Sequence, residues 1–235
     1  MKALILCAGQ GTRLQPYTRS VPKCLVPVRG KRILDYELDT VRGEVDEIIL
    51  VTGYLDDSIR SHAGRECTIV HNPDFATTNS LHSLWLARGH VEGQAFVLFN
   101  GDLVVDRTLV AQLLDEPAAT ASLIDSELEL RDGEMNVVTR DRRIVAFGKD
   151  VPARDAHAQS LQITKFGAAD SELLFGRTGE LIAEGQTGRF PAFAYDVILA
   201  RSSMTPVRRK GGIWFEIDTV DDLRSCEESL GRLSD

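Results

Sequence analysis

Residues 3–28 have the sequence ALILCAGQGTRLQPYTRSVPKCLVPV, in which an uninterrupted apolar run is followed at once by glycines. An apolar run without alternation is typical of a strand that is buried on both faces of a parallel sheet. We therefore predict a strand over Ala3–Ala8, followed by a turn at Gly9–Gly11. Because glycine has no Cβ, Gly9 and Gly11 allow the backbone to approach a ligand closely. The N–H groups of such a turn can hold anionic oxygens.

The rest of the chain alternates strand and helix patterns with short connections up to residue 114. This alternation predicts an α/β fold with a doubly wound, mostly parallel sheet and helices on both faces. After residue 120 successive strand patterns indicate a small antiparallel insertion over 120–170, within a single domain of residues 1–235. Further strands are predicted over 47–52, 68–71, 95–99, 120–125, 135–139, 143–147, 161–166 and 213–217, and helices over 33–41, 55–63, 79–89, 109–114, 171–184 and 220–230.

The chain has 235 residues and a net charge of −8, whereas general nucleic-acid binders are usually basic. We therefore expect no nucleic-acid partner, and any phosphate to be held by a local site. Its four cysteines form no CxxC pair, which argues against a zinc site or a redox dithiol. The N-terminal apolar run is too short for a signal peptide, and no stretch approaches the ~20 apolar residues of a membrane span. We expect a cytoplasmic protein without a membrane partner; the sequence is compatible with a homodimer but does not determine the oligomeric state.

Two cations follow the glycine turn closely, Arg13 and Lys23. A triphosphate attacked at its α-phosphorus gains charge on its non-bridging oxygens and on the departing pyrophosphate, and cations there stabilise the transition state. The pattern is neither the dinucleotide motif G-x-G-x-x-G nor the phosphate loop that ends in Gly-Lys-Ser/Thr. For the glycines alone, a structural turn would be sufficient explanation.

The segments Ala8–Thr18 and Val21–Val28 together resemble A-G-x-G-T-R-L-x-P-x-T followed by x-P-K-x-L-x-P-V. This is the signature of the nucleotidyltransferase family that includes sugar-phosphate nucleotidylyltransferases. The resemblance implies a Rossmann-like doubly wound fold in which Lys23 contacts phosphate. It also implies a set of residues that line the nucleotide and its phosphates, namely Ala8, Gly9, Gly11, Thr12 and Arg13.

Three acids are candidates for a metal site. Asp102 ends the motif Asn100-Gly101-Asp102 directly after a buried strand, where ligands of open α/β sheets bind. Glu216 and Asp218 alternate along a predicted strand and so share one side of it. Asp102 could instead be a turn residue, and Asp218 a helix N-cap. The resemblance implies that Asp102 and Asp218 hold Mg²⁺, with Glu216 as a third ligand and Mn²⁺ as a substitute ion. Arg13, Lys23 and Asp102 are the expected catalytic residues, and Gly101 is expected to contact the nucleotide.

Residues 72–87 indicate the nucleotide. They resemble the N-x-x-[YF]-x-x-T-N-x-x-x-S-L-x-x-A segment of phosphocholine and aminoethylphosphonate cytidylyltransferases, which implies CTP. Asn79 and Ser83 lie four residues apart and can contact a base or ribose from one helix face. A helix cap at Asn79 is the alternative interpretation. Gly53 and Tyr54 follow another strand and are expected to cover the base, although Tyr54 could be a surface aromatic.

The acceptor site is expected among aromatic and charged residues of the second half of the chain. Of an acidic pair in that branch only Asp196 remains, a lysine is replaced by Asn136, and a glycine-rich segment is replaced by residues 160–164. These departures favour an acceptor that is not cationic, such as a hydroxylated or carboxylated phosphonate; sequence drift in a loop is the alternative. The predicted acceptor contacts are Lys149, Lys165, Arg189, Phe190, Tyr195, Asp196 and Trp214.

These observations predict a magnesium-dependent cytidylyltransferase that transfers CMP from CTP to a small phosphonate or phosphoester acceptor and releases pyrophosphate. Phosphocholine, hydroxyethylphosphonate and aminoethylphosphonate are acceptors of the expected kind. A sugar-1-phosphate nucleotidylyltransferase is the alternative enzyme. A non-catalytic nucleotide sensor is the alternative of another class; it would predict the loss of Arg13, Lys23 or Asp102, and all three are present.

Overall fold

The computed structural model describes residues 1–232, and its elements follow the alternation expected up to residue 114. The strands are β1 (Lys2–Cys7), β2 (Pro27–Val28), β3 (Lys31–Arg32), β4 (Glu47–Thr52), β5 (Cys67–His71), β6 (Phe96–Asn100), β7 (Leu103–Val105), β8 (Ala121–Asp125), β9 (Asn136–Arg140), β10 (Arg143–Gly148), β11 (Ala158–Phe166), β12 (Thr205–Arg208) and β13 (Trp214–Glu216). The helices are α1 (Ile33–Val41), α2 (Asp56–Ala63), α3 (Ser80–Leu86), α4 (Arg88–Val91), α5 (Arg107–Leu114), α6 (Ala168–Ala183), α7 (Asp196–Arg201) and α8 (Val220–Arg232).

The first strand lies in the middle of the main sheet. β1 pairs in parallel with β4 on one side and with β6 on the other, and β5 continues the sheet beyond β4. The side chains of Ala3, Ile5 and Cys7 pack in the core layer that contains α1 and α5, whereas Leu4 and Leu6 pack in the layer that contains α3 and α6. Because both faces are covered, the strand is apolar throughout. The prediction of a doubly wound, mostly parallel sheet is confirmed.

The antiparallel strands of residues 120–170 continue the same sheet. β11 pairs antiparallel with β6, while β8 and β9 both pair with β11. The sheet is extended by β10 on β9 and by β12, which pairs in parallel with β8. β12 was not predicted, because its four residues, TPVR, include a proline and show no apolar alternation. Proline is tolerated there because β12 pairs on one side with β8, as an edge strand does.

The helix predicted over 79–89 is instead two short helices, α3 and α4. The N–H of Ala87 donates to the carbonyl of Leu84 at 3.1 Å, a bond of the tighter type that closes a last helical turn. Within residues 1–232, no helix has the length and hydropathy that a membrane crossing needs.

The parallel strands place several loops at one edge of the sheet. The segments that follow β1, β4 and β6 all leave at the carboxyl ends of their strands, which is where open α/β sheets bind ligands. The separate two-stranded ribbon of β7 and β13 runs beside this edge and brings residues from the end of the chain to it.

Candidate functional site

A cleft of about 280 Å³ opens at this edge of the sheet. It is lined from both halves of the chain, by the glycine turn after β1, the loop after β6 and the ribbon strand β13. Of the residues expected from the sequence, the structure places Ala8, Gly9, Gly11, Thr12, Arg13, Lys23, Asn79, Ser83, Gly101, Asp102, Lys149, Phe190, Glu216 and Asp218 along this cleft.

The glycine turn has a conformation that requires glycine at one position. Gly11 has φ of +61°, in the left-handed region, and a Cβ at this position would lie 2.9 Å from the Cβ of Lys23. The hydroxyl of Thr18 donates to the Gly11 carbonyl at 2.8 Å and holds the turn from the other side. The stem of Lys23 therefore packs directly on the turn, so the position of this cation depends on the glycine.

Three carboxylates from distant parts of the chain meet beside the turn. Asp102, Glu216 and Asp218 each offer an oxygen, and these oxygens lie within 4.8 Å of one another. The pairing of β7 with β13 sets Glu216 opposite Leu103, and the N–H of Ile217 donates to the Asp102 carbonyl at 2.9 Å. The backbone of the ribbon thus holds the three acids together, although their charges repel.

Two cations bind this acidic trio. The Lys23 Nζ lies 2.6 Å from Asp102 Oδ2 and 2.6 Å from Asp218 Oδ1, and an Arg13 nitrogen lies 2.8 Å from Asp218 Oδ2. Burial lowers the pKa of Lys23, but the charges of Asp102 and Asp218 outweigh it, and the net result is a raised pKa. For Asp218, burial raises the pKa, yet Lys23 and Arg13 together bring it below its ordinary value.

In the part of the chain that the structure describes, the carboxylate of Glu216 and one carboxylate oxygen of Asp102 lack a hydrogen-bonded cation of the kind that Asp218 has. Burial, together with the charges of Asp102 and Asp218, raises the pKa of Glu216 to about 8. Asp102 Oδ1 is buried and has no hydrogen-bond partner among the described residues. An unsatisfied buried carboxylate oxygen requires an explanation. A divalent cation with oxygen ligands fits this trio, since Mg²⁺ is usually bound through one or two carboxylates and substrate phosphates.

A fourth buried acid, Glu37 on α1, lies beneath the site and was not predicted. Its Oε1 accepts the N–H of Leu103 at 2.9 Å, which ties α1 to the residue that follows Asp102. Burial is the main cause of its raised pKa, and the charge of Asp102 adds to it. Glu37 lies between Leu34, Leu38 and Val41 on the apolar stripe of α1, and an acid in such a stripe is the signal that could have identified it.

The segment after β5 lines the cleft as well. Asn72 is buried and its amide donates to Ser83 Oγ at 3.1 Å and to Thr78 Oγ1 at 3.2 Å. Asn79 caps α3 by accepting the N–H of Ser80 at 2.8 Å and also lines the cleft. The cap interpretation of Asn79 therefore holds, and the residue lines the cleft at the same time.

The structure places Gly53 and Tyr54 beside the cleft, next to Ala8, where the N–H of Tyr54 donates to the Ala8 carbonyl at 3.1 Å. Neither residue lines the cleft. A Cβ at Gly53 would lie 2.6 Å from the Cβ of Phe75, which lines the cleft in its place. The Tyr54 hydroxyl donates to the Arg19 carbonyl at 2.9 Å, and its ring packs against Phe75 with the ring centres 6.2 Å apart.

Of the predicted acceptor contacts, Lys149 and Phe190 line the cleft, with the Lys149 Nζ 5.0 Å from the centre of the Phe190 ring. Arg189 is exposed and outside the cleft, because its guanidinium lies over the ring of Phe193 at 4.2 Å. Asp196 also lies outside it, in an ion pair of 3.2 Å with Arg177.

Three further residues expected to contact the acceptor lie outside the lining of the cleft, with side chains that are engaged inside the protein. The Lys165 Nζ donates to the carbonyl of Glu116 at 2.5 Å, beyond the last turn of α5. Tyr195 is 4% exposed and packs against the rings of Phe147 and Phe166, outside the lining of the cleft. The indole N–H of Trp214 donates to the Leu161 carbonyl at 2.9 Å. Two polar residues to which the sequence assigned no role, Asn100 and Gln162, line the cleft.

Comparison with known proteins supports a common family. The family model for the MobA-like NTP transferase domain matches residues 3–143. The chain is 30% identical over 186 residues to CTP:phosphoglutamine cytidylyltransferase of Campylobacter jejuni, an alignment that covers 71% of this chain and 73% of that protein. It is 37% identical over 127 residues to CMP-5'-(3-aminopropyl)phosphonate synthase of Streptomyces rubellomurinus, which covers 52% of this chain and 20% of that longer protein.

Solved structures show the same fold over nearly the whole chain. A structure of CTP:phosphocholine cytidylyltransferase from Streptococcus pneumoniae superposes with a TM-score of 0.79 at 20% identity, and the match covers 97% of this chain and 98% of that one. A structure of inositol-1-phosphate CTP transferase from T. maritima gives a TM-score of 0.78, also at 20% identity, over 97% of this chain and 96% of that one. At this level of identity the likeness establishes the fold.

Proposed function

We propose that this chain, which belongs to the family of MobA-like NTP transferase domains, transfers CMP from CTP to a small phosphonate or phosphoester acceptor in the presence of Mg²⁺. One observation carries this proposal. The unsatisfied Asp102 Oδ1 lies in a trio of carboxylates beside a glycine turn, with Lys23 and Arg13 at the same point. Triphosphate, metal and two fixed cations can meet there.

The glycine turn is suited to the phosphates. Gly9 lines the cleft without a side chain, and the left-handed Gly11 keeps the backbone open to it. Backbone N–H groups in such a turn attract anionic oxygens. Arg13 lies at the mouth of the cleft with its side chain 66% exposed, so it can move from Asp218 to a bound phosphate at little cost.

The acidic trio would hold the metal. Asp102, Glu216 and Asp218 are its proposed ligands, with Mn²⁺ as a substitute for Mg²⁺ in the assay. When bound, such an ion neutralises charge on the α-phosphate and orients the acceptor oxygen. The Lys23 ammonium between Asp102 and Asp218 keeps positive charge at the same place in the protein without ligands.

The proposed reaction is a direct displacement at the α-phosphorus. An ionised oxygen of the acceptor's phosphonate or phosphate group forms a bond to that phosphorus. The bond from the α-phosphorus to the oxygen that bridges to the β-phosphate breaks, and pyrophosphate leaves with the electron pair. Because the acceptor oxygen carries no proton, no general base is needed. Lys23 and Arg13 contribute fixed positive charge where negative charge develops.

CTP is proposed as the donor on two grounds. Residues 72–87 match the segment of cytidylyltransferases described above, and the named relatives use CTP or make a CMP product. In the structure Asn79 and Ser83, both from this segment, line the cleft, and the amide of buried Asn72 donates a hydrogen bond to Ser83. These side chains are the proposed contacts of the cytidine moiety.

The test measures pyrophosphate release with the four ribonucleoside triphosphates. Each is combined with MgCl₂ and with phosphocholine, aminoethylphosphonate, hydroxyethylphosphonate, a phosphorylated amide or a sugar 1-phosphate. Release is expected with CTP and a non-sugar acceptor. Two results would contradict the proposal. One is pyrophosphate release only with a sugar 1-phosphate, and the other is no release with any of the four triphosphates.

Asp102→Asn examines the metal site in the same assay. It keeps the size of the side chain but removes the charge, and turnover should fall by about 10²–10³ or more. Asp57→Asn, an exposed acid on α2, is the matched control and should leave turnover unchanged. A variant at Asp102 that retains wild-type turnover would remove the metal assignment.

A further inference from the structure

Gln162 occupies an irregular position in β11. Its φ is +59°, in the left-handed region that residues other than glycine seldom adopt. The pairing of β11 with β8 shifts register between Ser160 and Thr164, so Gln162 lies in a bulge of an otherwise regular strand. Strained backbone of this kind persists when the surroundings hold it in place, and it concentrates at functional sites.

The bulge is held by specific hydrogen bonds. The N–H of Gln162 donates to Ser160 Oγ at 3.0 Å, and the N–H of Ser160 donates to the Met135 carbonyl at 2.8 Å. On the next residue, the indole of Trp214 donates to the Leu161 carbonyl at 2.9 Å. The conformation of Gln162 is therefore built into the sheet.

The side chain of Gln162 lies between the cleft and a smaller neighbouring hollow. It lines the cleft, and it also lines a small hollow of about 20 Å³ beside the cleft, which has room for about one water molecule. Its amide oxygen accepts a hydrogen bond from Asn100, and its side chain shares the lining of the cleft with Glu216. Behind it, the apolar wall of the hollow is formed by Leu98, Met135, Phe147 and Tyr195.

The charges on the acceptor side do not suit a cationic acceptor. None of the described residues that line the hollow is an acid. The acids of the cleft are the proposed metal ligands, and two of them are paired with Lys23. Two aromatic residues line the cleft: Phe75 belongs to the segment proposed to contact the cytidine, and Phe190 already carries the ammonium of Lys149. A second cation there would meet repulsion rather than a free aromatic face.

We propose that Gln162 determines acceptor specificity, by closing the aromatic hollow and presenting a polar amide in its place. The acceptor class that fits is a small phosphonate or phosphoester with a hydroxyl, amide or carboxylate tail, in preference to a trimethylammonium tail. This inference rests on the proposed cytidylyltransferase function. It makes Gln162 the residue that distinguishes between acceptors that all react through a phosphonate or phosphate oxygen.

The test is Gln162→Gly, which removes the amide and suits the backbone, because glycine adopts positive φ without penalty. The variant should open the cleft to Phe147 and Tyr195, whose faces can receive a trimethylammonium group. The ratio of kcat/KM for phosphocholine to that for hydroxyethylphosphonate should rise by about tenfold or more. Both acceptors react with the same CTP beside the same three carboxylates. An effect of the substitution on Glu216 therefore changes both kcat/KM values alike and cancels in their ratio.

Gln162→Asn provides a second measurement, since it keeps the amide but shortens its reach, and its ratio should lie between those of the wild type and Gln162→Gly. Arg142→Gly is the matched control. Arg142 has φ of +61° in the exposed turn between β9 and β10, so glycine relieves the same backbone conformation outside the cleft. Its acceptor ratio should equal that of the wild type.

The outcomes separate the inference from the function on which it rests. An active wild type with an unchanged ratio in Gln162→Gly would overturn the role of Gln162 and leave the cytidylyltransferase intact. Loss of activity with every acceptor would also overturn it, because the amide would then serve Glu216 rather than the choice of acceptor. A wild type that transfers CMP to no acceptor would overturn the proposed function and the inference together.

Discussion

Replacing Lys23 by methionine removes the cation that two carboxylates share. The side chain of Lys23 is 13% exposed, and its Nζ lies 2.6 Å from an oxygen of Asp102 and 2.6 Å from one of Asp218. Methionine fills much of the same volume without charge. In the variant the two acids face each other and Glu216 without an internal counter-charge, apart from the exposed Arg13.

The expected loss of stability is large. Removing one partner of a buried ion pair costs about 3–5 kcal/mol, because the other charge stays buried without compensation. Domains are stable by about 5–15 kcal/mol, so the change is a considerable fraction of the total. For a chain of this size about 2–4 °C of Tm correspond to each kcal/mol, which gives a fall on the order of 10 °C without divalent metal.

Mg²⁺ should restore much of this loss in the variant. An ion at about 100 times its Kd stabilises a folded protein by about 2.7 kcal/mol. In the wild type the ion must compete with the Lys23 ammonium for the same oxygens, so its effect should be smaller. Thermal and urea unfolding, each with EDTA or with MgCl₂, measure both quantities. Lys149→Met is the matched control, since Lys149 lines the same cleft but faces the ring of Phe190.

Two results would refute this reasoning. In EDTA, Lys23→Met could prove as stable as Lys149→Met, which would mean that the acids bear no unpaired charge. Alternatively, the stability of Lys23→Met could be the same with Mg²⁺ as without it, which would mean that the trio does not take a divalent ion in place of the ammonium.

Two further variants address the glycine turn and the buried acid of α1. Gly11→Ala should lower the free energy of unfolding by about 1–2 kcal/mol, because alanine is strained in the left-handed conformation. The new Cβ should also displace the stem of Lys23, so that KM for CTP rises. An unchanged KM in the pyrophosphate assay would disprove the dependence of this cation on the turn. Glu37 has a raised pKa in the folded protein, so the stability that its neutral form contributes is complete below its ordinary pKa of 4.5 and is lost as the pH rises through the folded value. Glu37→Gln stays neutral and still accepts the Leu103 N–H, so its stability relative to the wild type should increase with pH. Glu37→Leu cannot accept this hydrogen bond and should lose about 1–3 kcal/mol of stability at every pH. A stability difference between Glu37→Gln and the wild type that does not vary with pH would contradict the raised pKa of Glu37.

The sequence predicts best what depends on local pattern. The apolar runs of β1, β4 and β6 identify strands that are covered on both faces, and the glycines after β1 identify a turn that needs positive φ. The rule that ligands bind beyond strand carboxyl ends then places Asp102 correctly at the cleft. That Glu216 and Asp218 join it followed from the family resemblance, since no local pattern shows that β13 pairs with β7.

What the sequence does not predict depends on the direction of single side chains. Lys165 and Trp214 have suitable chemistry for an acceptor site, but the pairing of their strands turns both toward backbone carbonyls inside the protein. The bulge that aims Gln162 at the cleft arises from non-local pairing with β8 and β6. Glu37 was missed because its helix was recognised from the apolar residues around it.

The ribbon of β7 and β13 also has a consequence for biosynthesis. Asp102 is translated more than a hundred residues before Glu216 and Asp218, and the strand that holds it against them has no ribbon partner until β13 emerges. A nascent chain that has already folded β1, β4, β5 and β6 can therefore present a glycine turn and yet lack two of the three acids. The proposed metal site would be complete only after β13 has been synthesised and has paired with β7.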